Sequence, residues 1–186
     1  MANLIPKLIF KLGGWKLLGK APNVKKFVII GAPHTSNWDF VYGLCAWKLY
    51  GVEPRYLIKK ELYFFPMNLF FKATGGLPVD RSKHNNLTEA IIDMIKQREE
   101  LAVLITPEGT RKHVERWKTS FYHVAMGAGV PIVMGSMDYK KKEANLSEPF
   151  WPTGDIEKDF LVFKEFYRYI NPKNPEGFSV ESIKPN

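Results

Sequence analysis

Phe27-Val28-Ile29-Ile30-Gly31, followed after Ala32 by Pro33-His34-Thr35-Ser36-Asn37-Trp38-Asp39, is the stretch on which the fold turns. Five apolar or small residues without alternation read as a strand buried on both faces. Pro33 to Asn37 read as a loop, and Ser36 or Asn37 can cap a helix over 38–50. The same strand-then-loop pattern returns at Leu101-Ala102-Val103-Leu104-Ile105, which precedes Thr106-Pro107-Glu108-Gly109-Thr110-Arg111. Before that second strand, Leu87, Ala90, Ile91, Met94 and Ile95 repeat at helical spacing and predict an amphipathic helix over 86–99.

Working outward, Tyr56-Leu57-Ile58 is a further strand, and 61–73 a helix that Pro66 bends or interrupts. Leu77-Pro78-Val79 is extended, near an edge or bend because of its proline. A helix over 118–128, a buried strand over 131–136 and a helix over 155–170 follow. Lys140-Lys141-Lys142 reads as a solvated strand end or turn, and 171–186 as a Pro- and Asn-rich tail. Strand–helix alternation of this kind predicts an α/β fold: one domain with a mixed, largely parallel sheet flanked by helices. We divide the chain into an amphipathic N-terminal segment, residues 1–20, and a single domain, residues 21–186.

The 186 residues are 45% hydrophobic and 25% charged, which is a globular composition with room for one core. One cysteine, Cys45, excludes an intrachain disulfide framework and a cysteine-rich zinc site; inside a predicted helix it reads as a buried thiol. The net charge of +8 points to an anionic partner: nucleic acid, lipid headgroups, or a phosphorylated or CoA-bearing substrate. Phe, Tyr and Trp number 13, 8 and 5, a density that suits lipid interfaces and single-stranded nucleic acid alike. Leu4, Ile5, Leu8, Ile9 and Leu12 share an apolar helical face beside Lys7 and Lys11. That segment suits a membrane interface or an ordinary packed helix; its interspersed lysines are unlike a signal peptide. Residues 119–137 carry no charge, yet Gly127, Gly129, Pro131 and Gly135 punctuate them, so a helix, a turn and a buried strand replace a membrane span.

Three blocks carry chemistry. His34 lies at the carboxyl end of a strand, where open α/β sheets bind ligands, and an imidazole there can serve as a base near neutral pH. Asp39, five residues on, can fix its tautomer, or simply favour the helix N-terminus. Gly109 permits a tight turn, and Arg111 offers a planar fork for phosphate or carboxylate. Between these blocks, Gly75-Gly76-Leu77-Pro78-Val79-Asp80-Arg81 ends in a second acid–base pair.

In this order, H-x4-D, G-x5-R, P-E-G-T-R and Val130-Pro131-Ile132-Val133 resemble the glycerolipid acyltransferases typified by lysophosphatidic acid acyltransferases, over about residues 27–133. Lys59-Lys60-Glu61-Leu62 before Pro66 resembles the family's basic segment. The resemblance implies an acyltransferase moving a fatty acyl group from acyl-CoA or acyl carrier protein to a lysophospholipid hydroxyl, 1-acylglycerol-3-phosphate being the typical acceptor. It implies His34 as general base, Asp39 as its orienting partner, and Arg81, Lys59 and Arg111 as the acceptor's phosphate pocket. Glu108, Gly109 and Thr110 belong to the same acceptor motif, Glu108 holding a hydroxyl or a basic side chain. Residues 130–133 shape the acyl or acceptor site. No metal or bound cofactor is implied.

Alcoholysis of a thioester needs a base and a positioned alcohol without a covalent enzyme intermediate, and no G-x-S-x-G elbow is present. Cytoplasmic acyl donors imply a peripheral protein on the inner face of a bacterial cytoplasmic membrane. The sequence departs from the family at Pro33, Thr106, Lys112 and within Trp117-Lys118-Thr119-Ser120-Phe121, changes that bear on the acceptor and leave the reaction class intact. A different lyso-lipid acceptor, such as a lyso-aminolipid, is the alternative within the class. A basic nucleic-acid-binding module is the alternative outside it, though no helix-turn-helix, zinc-finger or ribonucleoprotein motif is visible. His113 is placed near enough to Arg111 to approach a phosphate. Tyr63, Phe64, Phe65, Phe70 and Phe71 suit either a core or a membrane contact.

Overall fold

The computed structural model describes residues 3–79 and 84–186. Helices α1 (Leu4–Gly13), α2 (Asn37–Tyr50), α3 (Met67–Thr74), α4 (His84–Lys96), α5 (Ser120–Ala128) and α6 (Ile156–Tyr167) surround seven strands. These are β1 (Lys16–Leu18), β2 (Lys26–Gly31), β3 (Arg55–Lys59), β4 (Gly76–Val79), β5 (Leu101–Ile105), β6 (Ile132–Asp138) and β7 (Glu143–Leu146). They form one sheet in the order β1-β7-β6-β2-β5-β3-β4. Only the β6–β7 pair is antiparallel among these neighbours, so the sheet is mixed and largely parallel, as the alternation predicts.

The uninterrupted apolar runs are explained by cover on both faces. Val28 and Ile30 of β2 point into a core built with Ile91 and Ile95 of α4, Phe121 and Val124 of α5, and Phe163 of α6. Phe27 and Ile29 point the other way, packing with Trp47 of α2, Val133 and Leu146. A third cluster joins Phe10 and Trp15 to Cys45, Ala46 and Met137, holding α1 against α2. Cys45 is buried, and burial pushes its thiol up from the ordinary range.

Pro66 interrupts the helix predicted over 61–73. Residues Lys60–Leu62 make one 3-10 turn, and α3 starts only after the proline. Strands β1 and β7 were absent from the sequence reading: each is three or four residues long, too short for a periodic signal. Through β1, the N-terminal twenty residues enter the sheet, pairing Lys16–Leu18 with β7. Residues 130–133 are a correction. Val130, Ile132 and Val133 are buried core at the amino end of β6, away from the carboxyl edge where ligands bind. No described helix is long and apolar enough to cross a membrane.

Candidate functional site

Adjacent parallel strands end together. β2 and β5 pair with Ile30 opposite Ile105, so the loops that follow, 32–36 and 106–111, lie side by side. The chain leaves β2 through α2 toward β3 and leaves β5 through α5 toward β6, on opposite sides of this pair. Such a divergence opens a crevice at the carboxyl ends of parallel strands. Lys59 at the end of β3 reaches the same edge. β4 also ends there, at Val79; Arg81, two residues on, lies outside the described residues.

The first loop is built around Asp39. Ser36 is the N-cap of α2: its Oγ accepts from the Trp38 N–H at 3.2 Å, and the Asp39 carboxylate returns to the Ser36 N–H, completing a capping box. Asp39 Oδ2 accepts from the N–H groups of Thr35 (2.7 Å) and Ser36 (2.8 Å), and lies 3.4 Å from His34 Nδ1. Capping and orienting the imidazole, offered as alternatives by the sequence, are therefore done by one oxygen. With Nδ1 turned to Asp39, Nε2 is the nitrogen available to the cavity that His34 lines. Oδ1 accepts a 2.7 Å bond from the Tyr139 hydroxyl. Burial alone would raise the Asp39 pKa, but hydrogen bonds from His34, Tyr139, Ser36 and Thr35 outweigh it and hold the carboxyl below its ordinary value. Asp39 is an anion at neutral pH.

Glu108 makes a structural contact that the sequence does not predict. Its side chain is buried, and Oε1 accepts from the His34 backbone N–H at 3.1 Å, so it ties the second loop to the first. Its other oxygen is buried without a hydrogen-bond partner among the described residues. Desolvation by burial raises its pKa from 4.5 to about 7, against the lowering effect of backbone hydrogen bonds and of His34. The folded chain thus holds this proton more tightly than the unfolded one. Stability from this group is full below pH 4.5 and is lost as pH rises toward 7, on the order of 3 kcal/mol in all. Glu108→Gln keeps the shape without the charge. Its Tm relative to wild type should therefore rise between pH 5 and pH 8 in thermal unfolding; a difference constant across that range contradicts this account.

A cavity of about 830 Å³ opens on this edge, within the roughly 300–1,000 Å³ typical of small-molecule sites. His34, Asp39, Lys59, Gly109, Thr110 and Arg111 all line it, with Lys112 and Lys118. Its lining also takes in Gly43, Leu44 and Trp47 of α2 and Gly31, Leu104 and Leu146 of the sheet, beside polar residues such as Ser136 and Asn145. The cavity therefore combines cationic and apolar lining residues. Gly109 has φ +64°, a left-handed conformation that favours glycine, whereas the Lys118 side chain 2.9 Å from a Cβ there could shift aside.

Asn174 and Gly177, from the C-terminal tail, gave no sequence signal. Lys118 is a cavity cation, whereas its neighbour Trp117 is fully buried structure. The tail closes the loops from behind: Asn174 donates from its N–H to Thr35 Oγ1 (3.1 Å) and from Nδ2 to the Thr35 carbonyl (2.8 Å). Gly177 wedges between the loops, where a Cβ would sit 3.0 Å from both the Arg111 carbonyl and Thr35 Cγ2. His113 is exposed and lines no part of the cavity. The aromatic segment is largely outside the core: Phe64, Phe65 and Phe70 are exposed, as are Leu62 and Leu69 beside them and Leu4, Ile5, Leu8 and Leu12 on α1.

The family model described as Acyltransferase matches residues 18–137. The 1-acyl-sn-glycerol-3-phosphate acyltransferase of Haemophilus influenzae is 26% identical over 188 residues, 95% of this chain and 71% of that protein. The protein of the same name from Salmonella typhimurium is 29% identical over 125 residues, 62% of this chain. That match takes in 49% of the Salmonella protein, about half its length. Among solved structures, the 1-acyl-sn-glycerophosphate acyltransferase from Thermotoga maritima superposes with a TM-score of 0.61 at 17% identity. The superposition covers 89% of this chain and 74% of that one, a likeness of fold.

Proposed function

This chain belongs to the acyltransferase family, matched over residues 18–137, and from that premise we propose that it acylates a lysophospholipid, using an acyl-CoA or acyl carrier protein thioester. The named relatives act as 1-acyl-sn-glycerol-3-phosphate acyltransferases, which makes 1-acylglycerol-3-phosphate the leading acceptor. One observation carries the reading: a His–Asp pair lines the same cavity as the cations Lys59, Arg111 and Lys118 and the apolar side chains Leu44, Trp47 and Leu104.

The chemistry follows from that placement. His34 Nε2 takes the proton from the acceptor hydroxyl as its oxygen attacks the thioester carbonyl. Asp39 holds Nδ1–H and offsets the imidazolium charge. The tetrahedral oxyanion collapses, the C–S bond breaks, and the leaving thiolate recovers the proton from His34. Lys59 and Arg111, with Lys118, receive the acceptor's phosphate, Arg111 as a planar fork. The space between α2 and the sheet takes an acyl chain, since apolar side chains there favour burial of methylenes by about 0.8 kcal/mol each. Exposed apolar side chains on α1 and α3, with lysines near them for anionic headgroups, support docking at a lipid surface.

A panel of lysolipids with one radiolabelled acyl donor tests this, product mass being the readout. Phosphatidic acid from 1-acylglycerol-3-phosphate is the expected product. Turnover restricted to a lyso-aminolipid would transfer the reading to that acceptor, and salt-sensitive oligonucleotide binding with no acyl transfer would refute it. Run in anionic vesicles, the same assay tests the surface. Phe65→Asp with Leu69→Asp should depress turnover of vesicle-held acceptor and spare a short-chain, monomeric one.

A further inference from the structure

We propose that Tyr139 is a positioning residue for the His34–Asp39 pair, its hydroxyl fixing the far oxygen of the Asp39 carboxylate so that the near oxygen stays aligned on the imidazole. The proposal rests on the reading of His34 as the base. Tyr139 stands two residues past the end of the family match, just beyond the carboxyl end of β6.

The two carboxylate oxygens have unequal surroundings. Oδ2 is fixed by two backbone N–H groups of its own loop and faces His34. Oδ1 is held, among the described residues, by Tyr139 alone, across 100 positions of sequence. A carboxylate turns about one bond, so tying down Oδ1 also fixes the plane in which Oδ2 meets Nδ1. A phenol oxygen at 2.7 Å is the close, charge-assisted contact suited to that task.

The phenol is itself held from every side. Its backbone N–H donates to the Asn171 carbonyl at 2.8 Å, so the C-terminal tail fixes the main chain. The ring meets Trp15 edge-on at 5.1 Å and Tyr42 at 6.2 Å. Lys173 Nζ and Lys142 Nζ lie over it at 5.6 Å and 6.0 Å. Burial, the hydrogen bond to Asp39 and the carboxylate charge raise its pKa well above the ordinary phenol range, so the hydroxyl remains a donor throughout the working range of pH. Nothing in this packing depends on the hydroxyl, which makes Tyr139→Phe a clean removal of one hydrogen bond.

Steady-state kinetics of the full chain test the idea, with radiolabelled acyl-CoA and lysolipid. Tyr139→Phe should lower kcat about tenfold or more, as expected for a hydrogen bond to a charged group, with both KM values within about twofold of wild type. Added to Asp39→Ala, the same change should alter kcat by less than about twofold, because the hydroxyl then has no side chain to act through. Wild-type kcat in Tyr139→Phe, a rise confined to KM, or a loss undiminished in the Asp39→Ala background overturns the proposal. His34→Ala in the same series separates the two ideas. Near-normal turnover there overturns the base and this proposal with it; an inactive His34→Ala beside an unaffected Tyr139→Phe overturns the Tyr139 proposal alone.

Discussion

His34→Ala should reduce kcat by roughly 10²–10⁴-fold, the range general-base catalysis contributes, while the fold and the affinity for lysolipid stay near wild type. The side chain is partly open to the cavity, and its one polar contact among the described residues is Asp39, so little packing is lost. The loop keeps its anchors. The His34 N–H still donates to Glu108, and Asp39 still receives Thr35, Ser36 and Tyr139. The cations of the cavity are untouched, because Lys59, Arg111 and Lys118 come from other strands and loops. CoA release with a lysolipid, set beside lysolipid Kd, separates the two effects. Turnover within a factor of a few of wild type would remove His34 from the chemistry.

What the sequence made legible is what lies in local pattern. Phe27 to Gly31 and Leu101 to Ile105 declare buried strands by apolar content alone, and their loops announce the site because polar and glycine residues follow at once. A helix cap at Ser36 or Asn37, which proves to be Ser36, and a turn between α5 and β6 were readable for the same reason. The site's supports were not. Tyr139 reaches Asp39 across 100 residues and Asn174 reaches Thr35 across 139; neither carries a spacing that a linear reading can detect. Glu108 was legible as a residue of the second loop, but its tie to the first loop was not. A carboxylate beside glycine and arginine suggests a ligand contact, whereas its burial against the His34 backbone depends on how two strands pair.

Asp39→Asn should cost about 10²–10³ in kcat and only a few degrees in Tm, and the reason lies in how the amide must sit. Thr35 and Ser36 both present N–H donors to the position of Oδ2. An amide nitrogen there would face two donors, so the carboxamide oxygen occupies that position and the NH₂ turns toward the Tyr139 hydroxyl, which can accept. The capping box is kept, limiting the loss to less than the roughly 0.5–2 kcal/mol of removing a cap. His34 Nδ1–H also keeps an oxygen to face, so the tautomer is retained. The negative charge is what disappears, and with it the stabilisation of the imidazolium formed as the hydroxyl loses its proton. Where the equivalent change inverts the tautomer in Ser-His-Asp enzymes, the loss reaches about 10⁴, so a smaller loss is expected where the backbone dictates the amide's orientation. Asp39→Ala, which removes the charge and the Asp39 half of the capping box together, should lose as much activity and considerably more Tm. Kinetics and thermal unfolding of the two variants therefore divide Asp39's work between helix and imidazole. If Asp39→Asn keeps wild-type kcat, the carboxylate serves the helix alone.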